Sequence, residues 1–95
     1  MSTNTAERSV LSCSHVFITA NAMAKVSKTD AMTALKRHFS GDWGEVDEED
    51  WKANDRALED QSRILSVFTA ECGEKFWVIT EADRSTTTIL LPEDY

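Results

Sequence analysis

A chain of 95 residues with 41% hydrophobic content is long enough for one small domain, and its apolar share argues against disorder as the default. Apolar runs fall well short of the roughly 20 residues that span a bilayer, and residues 1–9 lack the charged-then-apolar layout of a signal peptide. The cytoplasm is therefore the expected compartment, and Cys13 and Cys72 are expected there as free thiols with structural roles.

Residues 1–12 are rich in Ser, Thr and Asn without periodicity, which predicts a mobile tail ahead of a single domain over 13–95. The β-branched and aromatic run at 15–19 predicts a first strand. Helix formers fill 20–26, with Asn21 as the expected cap. Ser27 or Thr29 then caps a second helix running to about Phe39, whose apolar stripe is read as Ala31, Met32, Leu35 and Phe39. Gly41 ends it in the left-handed conformation helices favour at that point. Asp47 caps a third helix with Glu48, Glu49 and Asp50 in its first turn, where the helix dipole stabilises negative charge. Its thin stripe of Val46, Trp51, Ala57 and Leu58 places it on the surface. Segments 63–70 and 75–80 alternate like strands around Glu71-Cys72-Gly73-Glu74, a hairpin. On the second of these strands Trp77 and Ile79 share one face and Phe76 and Val78 the other, so both faces are expected to be at least partly covered, by helices or a partner. A turn at Glu81-Ala82-Asp83-Arg84 leads to a third strand over 85–91, stopped by Pro92. The expected architecture is α+β: an N-terminal strand and two to three helices packed on a three-stranded antiparallel meander.

The formal charge of −7 is not spread over the chain. Residues 42–60 hold nine acids against Lys52 and Arg56, and acids and bases balance everywhere else. A field concentrated on one element speaks to partners more than to fold. It disfavours direct binding of nucleic acid, whose phosphates it repels, and favours a basic protein surface.

The blocks Arg37-His38, Gly41-Asp42-Trp43-Gly44, Glu49-Asp50 with Asn54, Trp77-Val78-Ile79-Thr80-Glu81-Ala82-Asp83-Arg84 and Thr87-Thr88-Ile89-Leu90-Leu91-Pro92 resemble, in that order, a family of small bacterial proteins. That family belongs to plasmids, prophages and other mobile elements, and its members are often labelled plasmid-related or type I restriction-modification subunit M. The resemblance spans roughly 18–95 and implies a setting rather than a reaction. A methyltransferase subunit needs a cofactor-binding α/β domain and its glycine pattern, and this chain has neither the length nor the motif. Ser62 stands where the relatives tend to carry glycine.

Three groups of residues could carry function. The Gly41-Asp42-Trp43-Gly44 turn either folds Trp43 back to anchor the acidic helix or exposes it as a binding anchor; two flanking glycines put the constraint on backbone geometry and favour the first. The acidic helix over 45–60 offers Glu45, Glu48, Glu49, Asp55 and Glu59, with Trp43, as a partner-binding face. Consecutive acids splay around a helix and lack the spacing of a calcium loop, and Cys13, His15 and Cys72 match no zinc pattern, so no metal or cofactor is expected. His38, Glu81 and Arg84 supply the ingredients of a small metal-independent nuclease or toxin-like enzyme: an acid or base, and a cation for phosphate. The leading expectation is a non-enzymatic interaction module for a basic partner, such as a nucleic-acid-binding host protein, in an accessory or anti-defence role where carboxylates imitate phosphates. The nuclease is the alternative, and a regulatory subunit binding through the hairpin edge is a third possibility.

Overall fold

The computed structural model describes residues 9–95. In chain order the elements are β1 (His15–Ile18), α1 (Ala20–Lys25), α2 (Lys28–Phe39), α3 (Glu48–Asp60), β2 (Ile64–Thr69), β3 (Lys75–Thr80), β4 (Thr86–Leu90) and a closing 3₁₀ turn, Pro92–Asp94. The α+β class holds, and the meander is there: β2 pairs antiparallel with β3, and β3 with β4. The sheet has a fourth strand, however. β1 lies parallel to β4, giving the order β1-β4-β3-β2.

Strand register sorts the side chains into two faces. Ile64, Ser66 and Phe68 of β2 oppose Thr80, Val78 and Phe76 of β3, and Val78 and Thr80 oppose Ile89 and Thr87 of β4. This face meets the helices, and Phe68, Phe76, Val78 and Ile89 join Ala22, Val26, Ala31, Ala34 and Leu91 in the main core. A second cluster, Leu11, Trp43, Ala57 and Ile64, sits under α3 with Phe39, Val46, Trp51 and Leu58 packed around it.

Several local expectations are met. Ser27 caps α2 by accepting from the Asp30 amide, and Asp47 caps α3 by accepting from that of Asp50. Gly41 has φ +89° just past α2. Others change for physical reasons. Thr19, not Asn21, caps α1; its hydroxyl accepts from the Ala22 amide and donates to Asp94, while Asn21 is drawn away to the same carboxylate. The buried stripe of α2 is Ala31, Ala34 and His38, with Leu35 and Phe39 at its margins, and Met32 points outward. Two residues of the predicted tail are held in place instead: the Val10 and Leu11 amides both reach the Phe39 carbonyl, and Leu11 is buried. Residues 1–8 of that tail lie outside the described residues.

The face of β3 away from the helices is only half covered. Ile79 is buried, but Trp77 is partly exposed and meets the Tyr95 ring edge-on at 5.6 Å, with Arg63 stacked over Tyr95. Full burial of a large aromatic makes its removal cost about 3–5 kcal/mol. Trp77→Ala is therefore expected to cost distinctly less than that, with a denaturation midpoint well above that of Trp43→Ala; equal midpoints would show that Trp77 carries as much of the core as Trp43.

Candidate functional site

The turn between α2 and α3 is built from the backbone outward. Gly44 has φ +76°, and a Cβ there would come within 2.1 Å of the Val67 carbonyl and 2.9 Å of the Phe68 ring. Only glycine lets the chain approach β2 this closely. Gly44 bridges Val67 in parallel fashion, with the Val67 amide on the Trp43 carbonyl and the Glu45 amide on that of Val67. The turn thus closes the outer edge of β2. Asp42 holds it from the other side, accepting from the Arg37 guanidinium at 2.8 Å and the Gly44 amide at 3.1 Å. The Arg37 bond, chiefly, keeps the Asp42 carboxyl below the usual aspartate range.

Trp43 is 0% exposed. Its indole N–H donates to Asp55 Oδ1 at 2.9 Å, and its ring meets His38 edge-on at 5.6 Å. The partner-binding role considered for Trp43 is thereby corrected: the ring is an internal anchor, and its hydrogen bonding is completed by Asp55, which itself stays exposed on α3. A buried indole needs such an acceptor. Asn54, one residue away, brackets β2, donating to the Leu65 carbonyl at 2.9 Å and accepting from its amide at 3.4 Å.

His38 is also 0% exposed. Nδ1 lies 2.6 Å from Ser66 Oγ and Nε2 2.8 Å from Thr80 Oγ1, which in turn bonds Thr87 Oγ1 at 2.7 Å. Burial, with a smaller contribution from the Arg84 charge, lowers the imidazole pKa to about 4. It is therefore neutral near pH 7, one nitrogen donating and the other accepting. Arg84 is occupied too: it donates to the carbonyls of Ser62 at 2.7 Å, Glu81 at 3.2 Å and Ala57 at 2.8 Å, tying the end of α3 to the turn before β4. Glu81 is exposed and pairs with Arg63 at 3.8 Å. The three residues considered for catalysis do not form a solvent-accessible constellation. The imidazole has no path to a substrate, and the guanidinium that would hold phosphate is spent on backbone. The hydroxyls of Ser66, Thr80 and Thr87 were missed from sequence, although polar residues at inward positions of apolar strands were a signal that a buried polar partner existed.

The other acids of the segment considered for partner binding are exposed as well. Glu45 accepts from Thr69 at 2.9 Å and from Lys75 at 3.4 Å at the sheet edge, and Glu48 pairs with Lys52 at 3.6 Å. Glu49 and Glu59 are exposed, with no ion pair among the described residues. Lys52 and Arg56 interrupt the outer face of α3, so the field is strongest around its first turn. Among the described residues no group of three or more His, Cys, Asp or Glu side chains could hold a metal, and no helix is long and apolar enough to cross a membrane. Compared with family models, curated proteins and solved structures, the chain finds no match.

Proposed function

We propose that the protein is a non-enzymatic interaction module that presents the first turn and outer face of α3 to a basic protein surface. The observation that carries this reading is the placement of charge. The excess of acids sits on one exposed element, with Glu49 and Glu59 unpaired among the described residues, while His38 and Arg84 are committed to internal bonds. With the mobile-element setting implied by the resemblance, the natural partner is a nucleic-acid-binding host protein, whose phosphate-binding surface the carboxylates would occupy in an anti-defence role. Glu45, Glu48, Glu49, Asp55 and Glu59 are the residues of this face, and buried Trp43, donating to Asp55, supports it from within.

The test is a combined Glu48→Lys, Glu49→Lys and Glu59→Lys variant. Loss of the favourable helix-dipole interaction at the two first-turn positions costs about 0.3–1 kcal/mol each, so the domain should remain folded by circular dichroism. Capture of basic nucleic-acid-binding proteins from a bacterial lysate should be strong for the parent at low salt, weaken as salt is added, and vanish in the variant. Equal capture by both chains, or retardation of DNA by the isolated parent, would sink the reading.

A further inference from the structure

The two edges of the sheet are treated in opposite ways. The β2 edge is closed by the Trp43–Glu45 bridge and by Asn54 of α3. The β1 edge has no strand beyond it among the described residues. The His15 amide donates to the Ser85 carbonyl and that of Thr19 to Ile89. By the period-two alternation of a strand, the N–H and C=O groups of Val16 and Ile18 face away from the sheet. Natural edges are usually blunted by charge, proline or a bulge. β1, His-Val-Phe-Ile, has no Lys, Asp, Glu or Pro.

Apolar surface gathers at this same edge. Val16 is 46% exposed, Phe17 56%, Met23 65% and Met32 53%. Val16 and Ile18 open with Met23, Met32 and Leu35 onto an apolar groove of about 410 Å³ between β1 and the first two helices, where Lys28 is the one charged lining residue. Unbranched methionines adapt readily to a packing partner.

We infer that β1 is the dimerisation strand of this protein, pairing antiparallel with β1 of a second copy to make one continuous eight-stranded sheet. The register follows from which groups point outward. Pairing Val16 with Ile18 of the other copy, and the reverse, satisfies the outward groups of all four residues and puts Phe17 opposite Phe17 on the two-fold axis. Centring on Ile18 instead would require pairing Val16 with Ala20, which is already in α1. Centring on Val16 would pair Ile18 with Ser14, whose amide is already bound to the Arg84 carbonyl. The axis stands perpendicular to the sheet, so the helices of both copies share one side and Val16 and Ile18 join the two grooves across the seam.

Charge also favours a second copy. The acids are carried by α3 and its leading turn, at the closed edge, and the rest of the chain is balanced. In the dimer the two β2 strands stand seven inter-strand steps apart, about 34 Å at about 4.8 Å each. That is several times the screening length of about 8 Å at physiological ionic strength. The charge that would oppose self-association elsewhere is therefore ineffective at this edge, and the assembly would display one acidic helix at each end.

Sedimentation equilibrium of the full chain is expected to give twice the 10.7 kDa mass of one copy. Val16→Lys, which places a charge in the seam, should halve that mass without altering the circular dichroism spectrum. The register is read by cross-linking. In a background carrying Cys13→Ser and Cys72→Ser, Phe17→Cys should oxidise to a covalent dimer, because facing Cα atoms at a non-hydrogen-bonded antiparallel pair lie about 4.5 Å apart, within disulfide reach. His15→Cys should not, since its two copies would be displaced by about 14 Å along the strands. A parent that sediments as a monomer at hundreds of micromolar, including one that instead takes up a foreign strand, would overturn the proposal. So would a dimer unaffected by Val16→Lys, or one cross-linked through His15→Cys in preference to Phe17→Cys.

Discussion

Trp43→Ala is expected to lower the stability of the domain by about 3–5 kcal/mol, the range for emptying a fully buried large aromatic site. The ring is 0% exposed, contacts His38 edge-on and belongs to the cluster of Leu11, Ala57 and Ile64 that seats α3. Small domains hold only about 5–15 kcal/mol in total, so this one change should consume much of the margin, as read by urea denaturation. The loss should also have a location. Amide protection should fall first over residues 46–58 and only later in the β2–β3 hairpin, because the ring joins α3 to the sheet. Trp43→Phe separates packing from hydrogen bonding. It keeps most of the ring but removes the donor to Asp55, and should cost about 1–2 kcal/mol. Protection of α3 unchanged in Trp43→Ala would show that the helix is held by other contacts.

The second large effect is a pH dependence carried by His38. In the unfolded chain this imidazole takes up a proton near its ordinary value of 6.5; in the folded chain burial delays that to about 4. Between those values the unfolded state binds more protons, so stability declines as pH falls from about 6.5 to about 4 and has no His38 slope above that window. One pKa unit corresponds to about 1.4 kcal/mol, which makes the total roughly 3 kcal/mol. The depressed carboxyl of Asp42 acts in a lower window, losing its contribution only as pH falls below the ordinary aspartate value. Urea midpoints of the parent and of His38→Gln across pH 7 to 4 isolate the effect. Gln cannot titrate, so the stability difference between the two chains should shrink by about 3 kcal/mol on acidification. A difference that stays constant would mean the folded imidazole protonates freely.

These two residues also look different in the sequence and in the fold. Arg37-His38 beside Gly41-Asp42-Trp43-Gly44 suggests chemistry or recognition when seen as sequence. In the fold, His38 satisfies the hydroxyls of Ser66 and Thr80, and no buried side-chain N or O atom is left without a partner among the described residues. A satisfied buried network confers a unique packing rather than reactivity. The acidic end of α3 lies at one side of the sheet and the apolar β1 edge at the other.

Sequence alone determined the local elements here. The Asp47 cap, a start for α2 at Ser27 or Thr29, the turn at Gly41, the hairpin around Gly73 and the α+β class all depend on residues a few positions apart, whose propensities act without long-range help. The solvated, acidic character of α3 was legible for the same reason. Tertiary structure alone decided the pairings across the chain. β1 joins β4, some 70 residues later, because a free apolar strand finds a partner only once the meander exists. Asp94 draws Asn21 to itself and leaves the α1 cap to Thr19. His38 turns inward and Met32 outward because Ser66 and Thr80 supply hydrogen bonds at the helix–sheet junction, while nothing there requires a thioether. The inward face of a helix is chosen by what the opposite surface can satisfy. That surface is assembled from distant strands and is not written in the helix's own periodicity.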